Sequence, residues 1–167
     1  LIDRSGASVP FEGVRGVGAL IAKLVELHPE CAPVHIDGHL LGLSYRIDSG
    51  TESIDVAVSL EPAAQLEISA GPAHSVRALY DAVCAFDASV ERACAEIGLD
   101  ARMVATGYNP AVKSPLELEL IPKERYRDMD AYLSRRGRYA RDMMRCTAST
   151  QVSLDYEDEA DCARIYR

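Results

Sequence analysis

Short polar side chains alternate with apolar ones along residues 143–156, a spacing suited to ligand binding. If this segment is a β-strand, one face carries Thr147, Ser149, Gln151, Ser153 and Asp155. An ordinary half-buried strand turns Lys, Glu or Arg toward water, whereas short hydroxyls, an amide and a carboxylate are better suited to holding a ligand. We therefore predict a strand here with a ligand-binding face.

A second set of polar side chains surrounds a short Pro-Ala-Ala link at residues 62–64. Gln65, Glu67 and Ser69 share one face of a predicted strand, and Glu61 ends the preceding strand on the same side. Two carboxylates and an amide are hard oxygen ligands of the kind that Mg²⁺ takes beside substrate phosphates. Two solvated glutamates on an exposed sheet face are the simpler alternative. If both polar strands belong to one sheet, they form a ligand-binding floor.

Cationic side chains lie between these two strands. Arg125 and Tyr126 fall at the start of a predicted helix, where the positive end of the helix dipole favours anions. A surface helix of mixed charge is the alternative. The arginines of this part of the chain are Arg125, Arg127, Arg135, Arg136, Arg138, Arg141 and Arg145. Such a cluster suits an anionic small ligand, for example a nucleotide phosphate or a carboxylate.

Other residue types that could do chemistry are weaker candidates. Cys146 is a possible exposed thiol on the polar strand, but no histidine is near it in sequence. His35 and His39 are four residues apart across a predicted Asp-Gly turn, which argues against a helical metal pair. Three glycines at residues 13–18 have the wrong order for a dinucleotide-binding loop, so close helix packing is the better interpretation.

Hydrophobic periodicity predicts the elements that must position these residues. In chain order they are a helix over residues 14–27, strands over 40–47, 54–60 and 65–69, a helix over 75–97, a strand over 101–108, a helix over 123–133, the strand over 143–156 and a helix opened by Glu157 and Asp158. Short links between the first strands favour antiparallel pairing. The predicted fold class is α+β, with a mostly antiparallel sheet, helices on one face and a polar ligand-binding face.

Composition narrows the class of protein. The 167 residues fit one domain, and 48% hydrophobic and 26% charged residues are typical of a globular chain. A net charge of −8 argues against nonspecific nucleic-acid binding, and no apolar run approaches the roughly 20 residues needed to cross a bilayer. Five cysteines without a CxxC pair predict free thiols in a reducing, cytoplasmic compartment.

Four blocks of the sequence agree in order and spacing with one enzyme family. They are Ser59-Leu60-Glu61-Pro62-x-x-Gln65-x-Glu67-x-Ser69-Ala70-x-Pro72, Gly107-Tyr108-Asn109-Pro110, Pro122-Lys123-x-Arg125-Tyr126-x-x-Met129-x-x-Tyr132 and Met143-Met144-x-x-Thr147-Ala148-Ser149-x-Gln151-Val152-x-Leu154-Asp155. Together they resemble the plant- and actinobacterial-type glutamate–cysteine ligases. Since four blocks in the same order are not expected by chance, we identify the chain as a member of this carboxylate–amine ligase family.

The resemblance implies a fold similar to the glutamine synthetase catalytic domain, whose antiparallel sheet binds ATP and metals on its polar face. It implies ATP and Mg²⁺ as cofactors, and small-molecule substrates. ATP would phosphorylate the γ-carboxylate of glutamate, and the cysteine amine would attack the acyl phosphate to give γ-glutamylcysteine. Carried over by position, the residue roles are metal binding by Glu61 and Glu67, catalysis by Arg125 and Gln151, and substrate or ATP binding by Gln65, Tyr126, Thr147, Ser149, Ser153 and Asp155.

The chain departs from the family pattern at three places. Ser153 stands where Asn is usual, Cys146 where Arg is common, and Ala63-Ala64 where Gly-Gly is usual. The sequence does not begin with Met, and it ends in the middle of a predicted helix. We therefore predict that residues 1–167 are a partial catalytic domain, without the family's Glu-x-Glu strand and C-terminal half. We expect these 167 residues alone to lack ligase turnover.

Two other functions fit the same residues. One is a related carboxylate–amine ligase that uses a different amine, and the other is a catalytically degenerate interaction module that keeps the fold. The sequence leaves the amine acceptor and the oligomeric state open.

Overall fold

The computed structural model describes residues 1–48, 50, 52–110 and 112–167. Its main sheet has four antiparallel strands in the order β2-β3-β4-β5, and a two-stranded sheet pairs β1 with β6. The strands are β1 Ile2–Asp3, β2 Ala32–Ile36, β3 His39–Asp48, β4 Ser53–Leu60, β5 Leu66–Ala70 and β6 Ala101–Arg102. The α-helices are α1 Val17–Leu27, α2 Val76–Glu96, α3 Glu124–Leu133, α4 Ala140–Cys146 and α5 Glu159–Ile165, with a 3₁₀ turn at Pro115–Glu117. The fold class is α+β, as predicted.

Two helices cover one face of the main sheet. On β4, Val56 and Val58 are buried while Asp55 and Ala57 are exposed, so alternation along the strand separates an inner from an outer face. α1 and α2 pack on the inner face and on each other, and their buried stripes complete the core. A Cβ at Gly42 of β3 would lie 2.3 Å from the Val58 carbonyl oxygen, so the close approach of β3 and β4 requires glycine there.

Two residues form the turn between β2 and β3. Asp37 and Gly38 have φ values of 52° and 80°, which suit the tight connection of a two-residue hairpin. The Asp37 carboxylate accepts a hydrogen bond of 2.7 Å from the backbone N–H of Glu124, at the start of α3. The hairpin turn therefore caps the helix that carries Arg125 and Tyr126. The link between β3 and β4 includes residues 49 and 51, which lie outside the described part of the chain.

The outer face of the main sheet is polar. Ser59 of β4 is paired with Glu67 of β5, and Ala57 with Ser69, so the polar residues of the two strands lie side by side. β5 is the last strand of the sheet, and its outer edge has no strand partner among the described residues. The predicted arrangement of helices on one face and polar side chains on the other is present.

The prediction of a strand over residues 143–156 is wrong. Its first part belongs to α4, Thr147 forms one isolated bridge to Tyr108, and residues 148–156 adopt neither helix nor strand. Alternation fixes the faces of a strand only where a neighbouring strand supplies a ladder of hydrogen bonds. Among the described residues this segment has only the two bonds of the Tyr108–Thr147 bridge, from the Asn109 N–H to the Cys146 carbonyl oxygen and from the Ala148 N–H to the Gly107 carbonyl oxygen. Every residue from 147 to 160 is exposed instead.

The strand predicted over residues 101–108 is also shorter than expected. Only Ala101–Arg102 forms a strand, because its partner β1 is two residues long, and Tyr108 makes only the isolated bridge to Thr147. At the other end of the chain, the Asp158 carboxylate accepts a 2.8 Å hydrogen bond from the Asp161 N–H and caps α5, which agrees with the predicted helix opening.

Candidate functional site

A cavity of about 710 Å³ lies beside the open edge of β5. Its walls are the β4–β5 link, the first turns of α3, the end of α4 and residues 147–152, with Leu79 and Val83 of α2 below. Eight of the ten predicted site residues line this cavity, while Ser153 and Asp155 do not. The predicted residues therefore converge, although the strand that was expected to carry half of them is absent.

Glu61 and Glu67 form the anionic part of the cavity. The Glu61 N–H donates to the Gln65 carbonyl oxygen at 2.9 Å, which keeps Glu61 next to the first residues of β5. Burial raises the pKa of the Glu61 carboxyl, and the nearby Glu67 charge raises it further. The cations Lys123 and Arg125 act in the opposite direction on the same pKa. Two neighbouring carboxylates that repel each other favour a bound cation.

The carboxylate pair fits a cation that is shared with a substrate. No group of three or more His, Cys, Asp or Glu side chains that could hold a metal occurs among the described residues, so a metal cage made of protein alone is absent there. Mg²⁺ commonly takes only one or two carboxylates and completes its coordination with water and substrate phosphates. The donor set of Glu61 and Glu67 matches that pattern.

α3 contributes the cationic and phenolic part of the cavity. Tyr126 is buried, and its hydroxyl donates to the Leu60 carbonyl oxygen at 3.1 Å. Burial and the Glu61 charge raise the pKa of Tyr126, so this hydroxyl is a hydrogen-bond donor at neutral pH. Arg125, one residue earlier, is exposed and lines the cavity. The single proton of the Tyr126 hydroxyl is used by the backbone, so the exposed Arg125 guanidinium is the member of this pair that can hold an anionic ligand.

Lys123 belongs to this group, although sequence reasoning did not assign it to the site. Its Nζ lies 4.5 Å from the centre of the Tyr126 ring and 3.4 Å from the Tyr126 hydroxyl oxygen. The only available signal was its position two residues before Arg125 in the same motif.

The side-chain amide of Gln65 is used by the backbone. Its Oε1 accepts from the Ala63 N–H at 2.7 Å, and its Nε2 donates to the carbonyl oxygens of Thr147 at 3.2 Å and Met144 at 3.4 Å. Gln65 therefore joins the β4–β5 link to the end of α4. Its predicted part in substrate or ATP binding stays a prediction.

Three of the five polar residues of the final motif reach the cavity. Thr147 lines it, but its Oγ1 donates to the Met143 carbonyl oxygen at 2.6 Å and so closes the end of α4. Ser149 and Gln151 line the cavity with exposed side chains. The intervening apolar residues Ala148 and Val152 line it too, so the segment does not present a single polar face. Their ligand-binding roles remain predictions.

Ser153 and Asp155 lie beyond the cavity wall. Both are exposed, and the Asp155 carboxylate accepts a 2.9 Å hydrogen bond from the N–H of the next residue, Tyr156. The strand pattern placed them on the floor of the site, but without a strand the chain leaves the cavity after Val152.

An ion-pair cluster behind the cavity was not predicted. The Asp130 carboxylate of α3 accepts from Arg141 and Arg145 of α4, with Nη2 to oxygen distances of 2.9 and 2.7 Å. Hydrogen bonds from Arg141 are the main cause that lowers the pKa of Asp130. The arginines are four residues apart and so share one face of α4, a spacing that was visible in the sequence without its partner.

Comparison with known proteins places the chain in a family. The profile of glutamate–cysteine ligase family 2 matches residues 2–167. The chain belongs to this family. Among curated proteins it is similar to the chloroplastic glutamate–cysteine ligases of Medicago truncatula (31% identical), Nicotiana tabacum (32%) and Arabidopsis thaliana (31%), each over 111 residues.

These alignments cover 66% of this chain and 21% of each relative. The chain thus matches about a fifth of the length of the curated glutamate–cysteine ligases. In its described residues, no helix is both long and apolar enough to span a membrane.

Proposed function

We propose that this member of glutamate–cysteine ligase family 2 supplies part of the active site of an ATP-dependent ligase. The reaction joins the γ-carboxylate of L-glutamate to the amine of L-cysteine and gives γ-glutamylcysteine. The observation that carries this proposal is the convergence of Glu61 and Glu67 with Arg125 and Tyr126 around one cavity. We also propose a cytoplasmic location, on the ground that five thiols without a CxxC pair suit a reducing compartment.

Glu61 and Glu67 are the residues that would hold Mg²⁺. When bound, Mg²⁺ neutralises negative charge on the phosphates of ATP. Burial, and after it the nearby charge of Glu67, raises the pKa of Glu61, and a bound cation would offset both costs. The positive charges of Lys123 and Arg125 lie close enough to Glu61 to act on its pKa against the effect of burial.

The proposed chemistry has two steps. A γ-carboxylate oxygen of glutamate attacks the γ-phosphorus of ATP, the bond from phosphorus to the bridging oxygen breaks, and ADP leaves with the electron pair. The cysteine amine then attacks the acyl carbon, phosphate leaves with its bridging oxygen, and the amine loses a proton. Both steps bring anions together, so positioning and charge neutralisation provide most of the catalysis.

Each protein residue has a part in this scheme. Arg125 neutralises charge that develops on the transferred phosphoryl group, and the Gln151 amide donates a hydrogen bond to an anionic oxygen. The family resemblance assigns to the nucleotide and the glutamate Gln65, Tyr126, Thr147, Ser149, Ser153 and Asp155, of which Ser153 and Asp155 lie outside the cavity. The exposed side chains of Ser149 and Gln151 at the cavity support their part in this assignment.

The test is a product assay on the complete gene product that carries these residues. With Mg²⁺, ATP, glutamate and cysteine, we expect γ-glutamylcysteine and one phosphate per product. Glu67→Gln should abolish both, whereas Glu91→Gln, an exposed glutamate of α2, should leave them unchanged. Phosphate release that requires glutamate but accepts another amine would show a related carboxylate–amine ligase. No ATP binding and no product would show a degenerate module.

A further inference from the structure

The buried ion pair of Asp130 and Arg145 connects two walls of the cavity. Asp130 lies one helical turn after Tyr126 on α3, and Arg145 lies two residues before Thr147, at the end of α4. Both residues are only 9% exposed. Arg145 Nη2 donates to Asp130 Oδ1 at 2.7 Å, and Arg141 donates to the same carboxylate through Nε and Nη2 at 3.1 and 2.9 Å.

Arg145 makes a second connection on its other amino group. Its Nη1 donates to the Leu118 carbonyl oxygen at 2.7 Å, in the segment that leads into α3. The guanidinium thus ties the end of α4 both to α3 and to the chain that precedes α3. Residues 147–152, which follow α4 directly, take their starting position from this contact.

Stability alone does not account for the cluster. A buried ion pair loses the hydration of both charges, and well-packed apolar side chains in its place are often neutral or stabilising. Arg145 Nε is buried without a hydrogen-bond partner among the described residues, which adds a further cost. The pair therefore holds the two helices together at a cost in free energy. It does fix their relative orientation, since guanidinium and carboxylate groups bind each other only in a few geometries.

We propose that Asp130 and Arg145 are positioning residues of the ligase site, which hold the end of α4 so that residues 147–152 face Arg125 and Tyr126. The positioning itself does not depend on the ligand, but its catalytic consequence rests on the proposed function. Arg141 is the outer member of the cluster, with a half-exposed side chain.

The test compares a broken pair with an apolar replacement. Asp130→Asn leaves Arg145 buried without its counter-charge and is expected to destabilise the whole protein. The double variant Asp130→Leu/Arg145→Met removes both charges and should keep the melting temperature close to wild type. If the pair only stabilised the fold, the double variant would behave as wild type in every other respect.

Amide hydrogen exchange measures how firmly the end of α4 is held in place, and it needs no ligand. The Asn109 N–H donates to the Cys146 carbonyl oxygen at 2.7 Å, and the Ala148 N–H to the Gly107 carbonyl oxygen at 3.3 Å. In the double variant, exchange at Asn109 and Ala148 should rise about 10-fold or more, while Val58 in β4 keeps its wild-type rate. Wild-type rates at Asn109 and Ala148, or an equal rise at Val58, would overturn the proposal.

Steady-state kinetics of the complete gene product measure the effect of the lost positioning on catalysis. We expect the double variant to lose about 10- to 100-fold in kcat, because misplaced catalytic groups cost that much even when binding persists. Unchanged kcat would overturn the catalytic part of the proposal. If wild type itself makes no product, the proposed function fails, while the exchange rates still test the positioning.

Arg141→Gln covers the case in which the double variant does not fold. It removes the half-exposed arginine that donates to both oxygens of Asp130, so the carboxylate that holds Arg145 loses its orientation, and exchange at Ala148 should rise about 3-fold. Arg92→Gln, which breaks an exposed pair with Glu96 on α2, is the matched control and should leave that rate unchanged. Equal rates at Ala148 in these two variants would overturn the proposal.

Discussion

Two regions with similar sequence patterns border the cavity and differ in what holds them. Polar and apolar residues alternate both in the β4–β5 hairpin and in residues 147–156. In the hairpin, Ser59 pairs with Glu67 and the ladder places every second side chain on the outer face. The second region has one isolated bridge, at Thr147, whose last bond joins the Ala148 N–H to the Gly107 carbonyl oxygen. Beyond Ala148, no ladder extends it among the described residues.

The difference shows that alternation is a property of side chains, whereas a strand is a property of hydrogen-bonded neighbours. In the hairpin the carboxylates are presented by a sheet whose inner face is in the core. In the second region the position of Ser149 and Gln151 depends on contacts at its start, made by Gln65 and Arg145. The hairpin therefore provides the fixed anionic half of the site.

The largest expected effect comes from removing a carboxylate of the fixed half. Glu67→Gln should weaken Mg²⁺-dependent ATP binding by about 100-fold, because the amide keeps the shape but loses the charge that a hard cation requires. Isothermal titration calorimetry with and without Mg²⁺ measures this. Asp81→Asn, at a partly buried position of α2 outside the cavity, is the control. Equal binding by wild type and Glu67→Gln would show that the hairpin does not hold the cation.

Substitutions of Gln65 in the hairpin and of Gln151 in the exposed segment compare the two regions directly. Gln65→Leu removes three hydrogen bonds between the Gln65 side chain and the backbone, and it should lower the free energy of unfolding by about 1–3 kcal/mol. Gln151→Leu, at an exposed position, should change it by less than about 0.5 kcal/mol while it reduces product formation. Urea denaturation and the product assay together measure both. Equal destabilisation by the two changes would contradict the distinction between the regions.

The helices and strands of the core could be predicted because the hydrophobic periodicity of each one matches the face that it buries against its neighbours. β3, β4 and β5 alternate, α2 has a long apolar stripe that begins after the capping Ser75, and all of them meet in one core. The convergence of Glu61, Glu67, Arg125 and Gln151 followed from the family motif. It did not follow from the predicted strand, since that strand is absent.

Other features depended on contacts between residues far apart in the chain. Asp130 and Arg145 are 15 residues apart and meet only because α3 and α4 pack together. Asp37 caps α3 from 87 residues away. The spacing of Arg141 and Arg145 was visible in the sequence, but neither long-range contact leaves a local pattern, so the pairing with Asp130 and the hairpin cap could not be predicted.

A smaller effect concerns the pH dependence of stability in the fixed half. Burial is the main cause, and the charge of Glu67 the second cause, that raises the pKa of Glu61 above its value in the unfolded chain. The folded state therefore binds the proton more tightly. Stability from this group therefore falls as pH rises through the interval between the two pKa values. Glu61→Gln should raise the melting temperature at pH 7 by no more than about 2 °C, because Glu61 is partly exposed and solvent screens its charge.

Thermal unfolding of Glu61→Gln at pH 7 and at pH 4 checks the sign. The gain should shrink at pH 4, where wild-type Glu61 is protonated in the folded state. A variant that is less stable than wild type at pH 7 would show that Lys123, Arg125 and Tyr126 outweigh burial and Glu67.

The smallest effect concerns the link between the two strands of the hairpin. Ala64 has φ 61°, a left-handed conformation that glycine adopts without strain, but its methyl group is buried. Ala64→Gly should therefore change the free energy of unfolding by less than about 0.5 kcal/mol, as relief of strain offsets the loss of buried surface. Ala63→Gly, without the left-handed φ, should lower it by about 0.5–1 kcal/mol. Urea denaturation of both variants decides whether the link is strained.

The most direct test of the site is the binding position of Mn²⁺ with ATP, measured by paramagnetic broadening of backbone amide signals in nuclear magnetic resonance spectra. If the hairpin holds the cation and residues 147–152 face it, signals of Glu61, Glu67 and Gln151 should broaden together. Those of α1 should remain sharp, and Glu67→Gln should abolish the broadening. Broadening that is centred away from the β5 edge, or that persists in Glu67→Gln, would contradict the assignment of this cavity as the ligand site.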